Sequence, residues 1–532
     1  MRDGTQLYAD VYRPKAEGKF PVLLQRDPYD RRGGADLGVR GATDGYVVVL
    51  QDVRGRHDSQ GEWYPLEHEA DDGYDTVEWA ASLPYSDGRV GMVGASYRGS
   101  CALLAAVARP PHLVAIHPVL TPASAYEGLP YLHGVLQLWW ADTWSAFAAY
   151  DSLGRRIGSQ SKPSEWVRAL PVGSYPFFDG TSPASLAPYF RDWLTHPAYG
   201  DYWRAWSIDE HYDAISVPAY HVGGWYDVFL GGTLRNYVGL RAHAATEAAR
   251  RGQRLLIGPW NHIDSPGEVA FGASADRDFA ELRWFDYVIK GIPTEFVGDK
   301  PVQIFVMGKN VWRGEDDWPL ARAKATRYHL RAGGVLAEQN AENGPPDSFV
   351  YDPRDPVPTR GGAVVGDPSL PAGAVDQRPV ESRRDVLVYT TQPFDHEVEI
   401  TGPVSVDLFV SSTAPDTDFT AKLVDVWPNG FAQNLADGIV RMRFRESRER
   451  PSWLEPGKVY EVTIDLVATS DVILVGHRLR VDVSSSDFPR FDRNLNGKQS
   501  PEDGARGQRA NNSIYHDAAH PSALVVSVVS GE

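Results

Sequence analysis

Among the residues able to do chemistry, Ser96 has the most informative surroundings. The stretch from Arg89 to Arg109 reads RVGMVGASYRGSCALLAAVAR. Val90, Met92 and Val93 suit a buried parallel strand, and the small and aliphatic residues from Ser100 to Ala108 suit a helix packed on the sheet. A serine on such a tight strand-to-helix turn is lifted out of the sheet with strained backbone angles. Flanking glycines are needed there because the two backbones approach closely. The usual elbow is G-x-S-x-G, whereas here Arg98 stands two after the serine and the glycine follows as Gly99.

A serine hydroxyl is a poor nucleophile near neutral pH, so it needs a base within hydrogen-bond reach and a group that holds that base in the right tautomer. In α/β-hydrolases the order along the chain is serine, acid, histidine, the last two on loops after later strands. This narrows the fifteen histidines. The expected strand Gln253 to Ile257 runs into Gly258-Pro259-Trp260-Asn261-His262, and the one before it, Val217 to Val222, runs into Gly223-Gly224-Trp225-Tyr226-Asp227. A lone histidine beside a strand is usually a core or surface residue, and an aspartate after a strand is often a helix cap. Three residues in the right order carry more weight than any one. Acyl chemistry also needs donors aimed at the tetrahedral oxyanion. The Tyr97 backbone N–H, next after the serine, supplies one. The loop Arg26-Asp27-Pro28-Tyr29-Asp30 after an early strand offers the Tyr29 hydroxyl as a second, although turn tyrosines commonly just pack.

The elements that must position these groups follow an alternating pattern. Gln6 to Tyr12, Pro21 to Gln25, Tyr46 to Val53, Arg89 to Val93 and Leu113 to Val119 read as strands, with a helix from Glu69 to Leu83. The pattern resumes with Val217 to Val222, a helix over Leu234 to Arg251, the strand Gln253 to Ile257 and a helix over Asp276 to Ile289. The expected fold is therefore an α/β core in two parts, residues 1–121 and 209–323. Residues 122–208 lack comparable strands and hold seven tryptophans, Trp139, Trp140, Trp144, Trp166, Trp193, Trp203 and Trp206, of the sixteen in the chain. This segment reads as an inserted helical cap. Leu136, Trp140, Trp144 and Phe147 recur at helical spacing, as the cap's own core or as an apolar wall over a substrate pocket. From 324 to 532, period-two alternation as in Val404-Ser405-Val406-Asp407-Leu408 and Val462-Thr463-Ile464-Asp465-Leu466 predicts an all-β sandwich. Arg331 to Arg384, rich in Gly, Pro and Asp, reads as long surface loops.

Composition excludes several functions. A length of 532 residues calls for two or three domains, and 42% hydrophobic residues are ample for their cores. A formal charge of −17 argues against a nucleic-acid partner and against anionic membrane surfaces. The single Cys101 excludes an intramolecular disulfide and reads as a buried, unreactive thiol. No run approaches a membrane span of ~18 apolar residues. The chain reads as soluble and cytoplasmic, and the sequence leaves open whether a leader was removed. Asp71 and Asp72 read as a solvated helix start.

Several ordered motifs, DGTQLYADVYRP, RDPYD, GYVVVLQDVRG, GASYRG, GGWYDVF, GPWNH, IFVMGKNVWR, DTDFTAKLVDVWP and SSSDFPRFDRN, span nearly the whole chain. On them the chain resembles the bacterial cocaine-esterase-like hydrolases, the CocE/NonD family, related to X-Pro dipeptidyl-peptidases of the S15 group and to α-amino-acid ester hydrolases. The family's elbow is G-x-S-Y-x-G, so Arg98 is no departure within it. The resemblance implies an α/β-hydrolase core, a helical cap and a C-terminal jelly-roll-like, galactose-binding-like β-domain. It implies Ser96 as nucleophile, His262 as base and acid, Asp227 as its orienting partner, and Tyr29 with the Tyr97 amide as oxyanion hole. Phe229 matches an aromatic that lines the acyl pocket, and Trp140 and Trp144 are candidate substrate contacts from the cap.

The α-amino-acid ester hydrolases carry acids shortly after the triad aspartate to bind a substrate ammonium. Val228, Phe229 and Leu230 stand there in this chain, and an unpaired buried charge is costly. An acid from the cap, such as Glu127 or Asp142, could still serve. The expected function is a serine carboxylic-ester hydrolase working through an acyl-enzyme on small-molecule esters with uncharged acyl groups, aromatic ones among them, without metal or organic cofactor. X-Pro dipeptidyl-peptidase or amidase activity and acyl transfer by the same triad are the alternatives. A β-domain that binds carbohydrate beside an inactive core is a further one. The natural ester and the oligomeric state are not legible.

Overall fold

A computed structural model describes residues 1–153, 167–168, 170–174, 187–263, 267–339, 343–366, 369–499 and 506–530. The first half of the core holds strands β1 (Ala9–Tyr12), β2 (Phe20–Asp27), β3 (Val47–Asp52), β4 (Ser86–Ala95) and β5 (Leu113–Val119), with helices α1 (Ala35–Thr43), α2 (Glu69–Ala81) and α3 (Tyr97–Val107). Helix α1 has no counterpart in the sequence reading; it buries Leu37, Gly38 and Gly41. β3, VVVLQD, is buried at every residue, as expected of a strand covered on both faces.

The chain then leaves the sheet. The short strands β6 (Tyr131–Leu132) and β7 (Val135–Leu136) form a hairpin, followed by α4 (Leu138–Leu153) and α5 (Pro188–Thr195). It returns as β8 (Tyr220–Tyr226), α6 (Leu230–His243), β9 (Arg254–Asn261), β10 (Val302–Val306) and β11 (Val311–Glu315). The nine-stranded sheet has the order β1-β3-β2-β4-β5-β8-β9-β10-β11. β8 pairs parallel with β5, so the whole cap is an excursion between adjacent strands. β3 lies on one side of β2 and β4 on the other, and ligand crevices form outside the strands' carboxyl ends at such a reversal.

Several elements differ from the sequence expectation. The helix expected over Leu234 to Arg251 starts at Leu230 and breaks at Ala244, whose ψ of 147° leaves helical space. It restarts as Glu247–Arg251, where the Thr246 side chain caps the Ala249 N–H. The expected helix over Asp276 to Ile289 is one α-turn, Glu281–Phe285, followed by a π-turn, Asp286–Lys290. Leu136 lies in β7 and not on the helix that carries Trp140 and Trp144. Trp166 lies outside the described residues.

Arg331 to Arg384 is not a run of surface loops. It contains strands Val335–Ala337 and Asp347–Tyr351 and buries Val364, Leu370, Ala372 and Val375. Gly361, Gly362 and Gly373 are buried and mark backbone conformation, not exposure. Gly362 and Gly373, both at positive φ, exchange backbone hydrogen bonds at 2.8 and 3.0 Å.

The C-terminal part is a second sheet of eleven strands, beginning with Ala323–Arg331 and built around the long antiparallel pair Val398–Ser412 and Tyr460–Ile473. Its core is continuous with that of the hydrolase part. Trp225, Tyr226, Leu230 and Phe305 pack in one cluster with Ile400, Leu435, Leu466 and Leu479. The Tyr226 hydroxyl donates to the Asn434 carbonyl at 3.0 Å, so the β-domain braces the strand end that precedes Asp227. It also holds the cap. Arg441 pairs with Asp418 and Asp492, all three buried, and Asp492 accepts the Leu136 N–H at 3.0 Å.

Candidate active site

Ser96 sits between β4 and α3 with φ 59° and ψ −126°, a region that costs a non-glycine residue about 1–3 kcal/mol. The turn persists because its surroundings enforce it. The Ser96 N–H donates to the Val119 carbonyl at 2.8 Å. A Cβ on Gly94 would meet Arg98 Cβ at 2.5 Å and its carbonyl carbon at 2.6 Å, and one on Gly99 would meet Thr121 Cγ2 at 2.3 Å. Gly99 thus supplies the close approach to the neighbouring chain, which leaves position 98 able to carry a side chain.

The three residues expected to act together are brought into line. Asp227 follows β8 and His262 follows β9, parallel neighbours whose register shifts between Gly224 and Tyr226. At that irregularity a Cβ on Gly224 would lie 2.2 Å from the Trp260 carbonyl oxygen, which explains the glycine in GGWYD. His262 Nε2 lies 3.1 Å from Ser96 Oγ and its Nδ1 lies 2.8 Å from Asp227 Oδ1. A buried carboxylate can only accept, so Nδ1 carries the proton. The Nε2 lone pair is left to receive the serine's. Such an arrangement can pass the serine proton to the imidazole while the carboxylate balances the charge.

Of the expected oxyanion donors, Tyr97 directly follows the serine, and Tyr29 packs edge-on to the Tyr97 ring with centroids 6.4 Å apart. Tyr97 is the first residue of α3, and its N–H is among the four that a helix leaves without an intrahelical acceptor. The Tyr29 hydroxyl accepts the indole N–H of Trp144 at 2.8 Å, so its own proton is free to be donated. Burial pushes the Tyr29 pKa up to about 12, against smaller opposing effects of Trp144 and Arg98, and the neutral donor form is retained.

Phe229, 2% exposed, stands edge-on to the His262 ring with centroids 5.1 Å apart. Trp140 and Trp144 stack at 5.3 Å. Ser96, Phe229, Trp140 and Trp144 line one narrow, mainly apolar pocket of about 20 Å³, together with Leu66 and Trp193. Phe147, from the same expected stripe, is 61% exposed and meets the Tyr29 ring at 5.3 Å.

Sequence reasoning missed Leu66 as a wall residue. It holds a positive φ of 70°, and its N–H donates to the Tyr97 hydroxyl at 2.9 Å. That hydroxyl in turn donates to Glu69 Oε1 at 2.9 Å, and Glu69 pairs with the fully buried Arg26 at 2.6 Å. Burial and the Glu69 charge hold the Tyr97 phenol well above its usual pKa. Asp72 belongs to the same network and not to a solvated helix start. It is 1% exposed and pairs with Arg54 at 2.6 Å, because helical spacing puts it on the inner face with Glu69 and Thr76. Asp71 is exposed as expected and meets Arg2. Cys101 is buried, and burial pushes its thiol pKa well up, which leaves it inert.

Neither cap acid lines the pocket around Ser96. Glu127 faces a separate cavity of about 340 Å³ that Asp227 also lines, where core, cap and β-domain meet. It contacts His133 there at 3.3 Å. Asp142 is buried, neither oxygen has a hydrogen-bond partner among the described residues, and burial holds its pKa well above the carboxylate range. Among the described residues no group of three or more His, Cys, Asp and Glu could hold a metal ion, and no helix is long and apolar enough to cross a membrane.

This geometry can be set beside known proteins. Residues 3–264 match the family model of the X-Pro dipeptidyl-peptidase (S15 family), and residues 294–525 match that of the X-Pro dipeptidyl-peptidase C-terminal non-catalytic domain. The cocaine esterase of Rhodococcus sp. (strain MB1 Bresler) is 37% identical over 570 residues, covering 99% of this chain and 97% of its own. The chain belongs to the CocE/NonD family. As a member it is an enzyme, a serine hydrolase of the esterase type on the α/β-hydrolase fold, with the family's C-terminal β-domain. Two solved structures agree in fold. An aminopeptidase from a marine sediment archaeon, Thaumarchaeota archaeon, superposes with a TM-score of 0.89 at 26% identity, covering 100% of this chain and 95% of that one. An α-amino acid ester hydrolase superposes with 0.85 at 26% identity, covering 99% and 95%.

Proposed function

We propose that this CocE/NonD-family member hydrolyses small carboxylic esters with uncharged acyl groups through a Ser96 acyl-enzyme. The observation that carries the reading is the contiguous line from Ser96 Oγ through His262 to Asp227, at 3.1 and 2.8 Å, opening on a pocket walled by aromatic rings. His262 Nε2 takes the serine proton as Oγ attacks the ester carbonyl. The Tyr29 hydroxyl and the Tyr97 N–H donate to the oxyanion that forms. Collapse of the tetrahedral intermediate expels the alcohol, protonated by His262. A water deprotonated by His262 then attacks the acyl carbon, and the acid leaves as Ser96 regains its proton. Asp227 holds the imidazole in register and stabilises the imidazolium at each stage.

The S15 match favours dipeptidyl-peptidase activity as a second reading. A dipeptide's ammonium needs a carboxylate in the pocket, and no acidic residue is among the described lining residues. An uncharged acyl group needs none. The test compares wild type with Ser96→Ala on p-nitrophenyl acetate, butyrate and benzoate, and on a dipeptidyl-proline p-nitroanilide. Ester turnover in wild type and a fall of at least ~10³-fold in the variant support the reading. Equal rates in the two proteins refute Ser96 as nucleophile, and turnover of the anilide with inert esters makes the protein a peptidase.

A further inference from the structure

The elbow's one irregular residue, Arg98, stands where the common pattern has a glycine, and its side chain reaches across the turn. Arg98 Nε donates to Asp27 Oδ2 at 2.6 Å. The guanidinium carbon lies 5.5 Å from the centre of the Tyr29 ring, within cation–π range. Asp27 ends β2 and is fully buried. Its second oxygen accepts the Tyr29 backbone N–H at 2.7 Å. From above, the cap's Trp144 donates to the Tyr29 hydroxyl. Tyr29 is therefore held at its backbone, its ring face and its oxygen.

An ionised carboxylate at full burial is stable only when paired. Burial pushes the Asp27 pKa up, and Arg98 is the main influence opposing it. Arg98 lies on the first turn of α3, the same turn that presents the Tyr97 N–H. The ion pair therefore ties together the two chain segments that carry the two oxyanion donors.

We infer that the Arg98–Asp27 ion pair is a positioning device for the oxyanion hole, setting the Tyr29 hydroxyl relative to the Tyr97 N–H. This rests on the reading of Tyr29 as an oxyanion donor. A donor displaced by about 1 Å can cost ~10²-fold in rate, so the pair acts on kcat and not on substrate affinity. Arg98 is a positioning residue here, with no contact to substrate required.

The test is a double-mutant cycle on p-nitrophenyl acetate, using Arg98→Met, Tyr29→Phe and the double variant, with Arg98→Lys as the conservative change. Tyr29→Phe is expected to lower kcat by ~10²- to 10³-fold. Arg98→Met is expected to lower kcat by about 10- to 100-fold with KM nearly constant. In the Tyr29→Phe background the Arg98 change should add no more than about twofold, since the group it positions is gone. Arg98→Lys should recover part of the loss, because an ammonium can still pair with Asp27.

Full multiplication of the two single effects overturns the inference while leaving Tyr29 as a donor, because Arg98 would then act on the elbow itself. A rise in KM with kcat unchanged also overturns it, making Arg98 a substrate contact. An unchanged kcat in Tyr29→Phe removes the oxyanion reading first and the inference with it. Should Arg98→Met fail to fold, Asp27→Asn keeps an acceptor for the Tyr29 N–H while removing the charge, and the same loss of additivity with Tyr29→Phe is expected of it.

Discussion

Tyr97→Phe separates two tasks that one residue performs. The backbone N–H beside the serine is untouched by the change, while the phenol oxygen loses three partners. It accepts the Leu66 N–H at 2.9 Å and the Trp63 indole N–H at 3.3 Å, and donates to Glu69 at 2.9 Å. Glu69 keeps its ion pair with Arg26, so the variant leaves no unpaired charge. The Leu66 N–H and the half-buried Trp63 indole N–H both lose this acceptor; the buried Leu66 group costs about 1–3 kcal/mol, and each of the other two lost hydrogen bonds is worth about 1 kcal/mol net. Together these give a destabilisation of about 3–5 kcal/mol. Leu66 also sits at φ 70°, a left-handed conformation that costs roughly 1–2 kcal/mol for an L-residue. Its N–H bond to Tyr97 is a restraint that helps to keep it there.

Released from that restraint, the pocket wall relaxes and acyl discrimination blurs. The assay pairs a urea midpoint with kcat/KM for acetate, butyrate and benzoate esters. The expected result is a lower midpoint and a flattened acyl profile, with kcat on acetate within about one order of magnitude of wild type, since an oxyanion donor's own loss costs ~10²- to 10³-fold. An unchanged midpoint refutes the hydrogen-bond accounting. A lower midpoint with an unchanged acyl profile refutes the link between the Tyr97 phenol and the Leu66 wall.

Two further predictions concern other groups. Asp227→Asn should lower kcat by ~10³- to 10⁴-fold with little change in KM, because the amide presents a donor to His262 Nδ1 and reverses its tautomer; steady-state kinetics on p-nitrophenyl acetate would show a loss under tenfold if Asp227 does not orient His262. His221 is fully buried, shares a hydrogen bond with Gln253 at 2.9 Å, and has its pKa lowered by burial to about 4. Its unfolded-state value is about 6.5. Between those values the unfolded chain takes up a proton that the folded chain refuses, so stability is present above pH 6.5 and is lost as pH falls toward 4, by about 3 kcal/mol in all. Urea midpoints at pH 7 and pH 4.5 should therefore converge more closely in His221→Gln than in wild type, and parallel midpoints in the two proteins would count against this.

Much of the core was legible because its signals are local. Ser96 announces itself by small residues on both sides of a strand-to-helix turn, and the loops after β8 and β9 end in residues whose chemistry fits it. The Arg98 side chain was not interpretable from the motif, since its partner Asp27 is distant in sequence. Asp72 was not legible for a similar reason: a helix's first turn is often acidic and wet, and only the buried Arg26 and the half-buried Arg54 make this position dry. Gly- and Pro-rich composition from Arg331 to Arg384 suggested exposure, yet it reflected turns packed against core and cap. The helix expected through Ala244 failed because side-chain pattern does not register a single extended ψ.

By itself the sequence determined the alternation of strands and helices, the order of serine, acid and base, the aromatic character of the cap and the change to an all-β texture near residue 324. These depend on residue type and spacing along the chain, which fix backbone preference and face. Only the tertiary structure decided that Ser96, His262 and Asp227 meet at hydrogen-bond distance, that Trp144 reaches Tyr29, that Leu66 and Trp193 wall the pocket, and that Glu127 and Asp142 do not. Those outcomes depend on how the cap and the β-domain pack on the core, and packing is set by contacts between residues far apart in sequence, which no local pattern encodes.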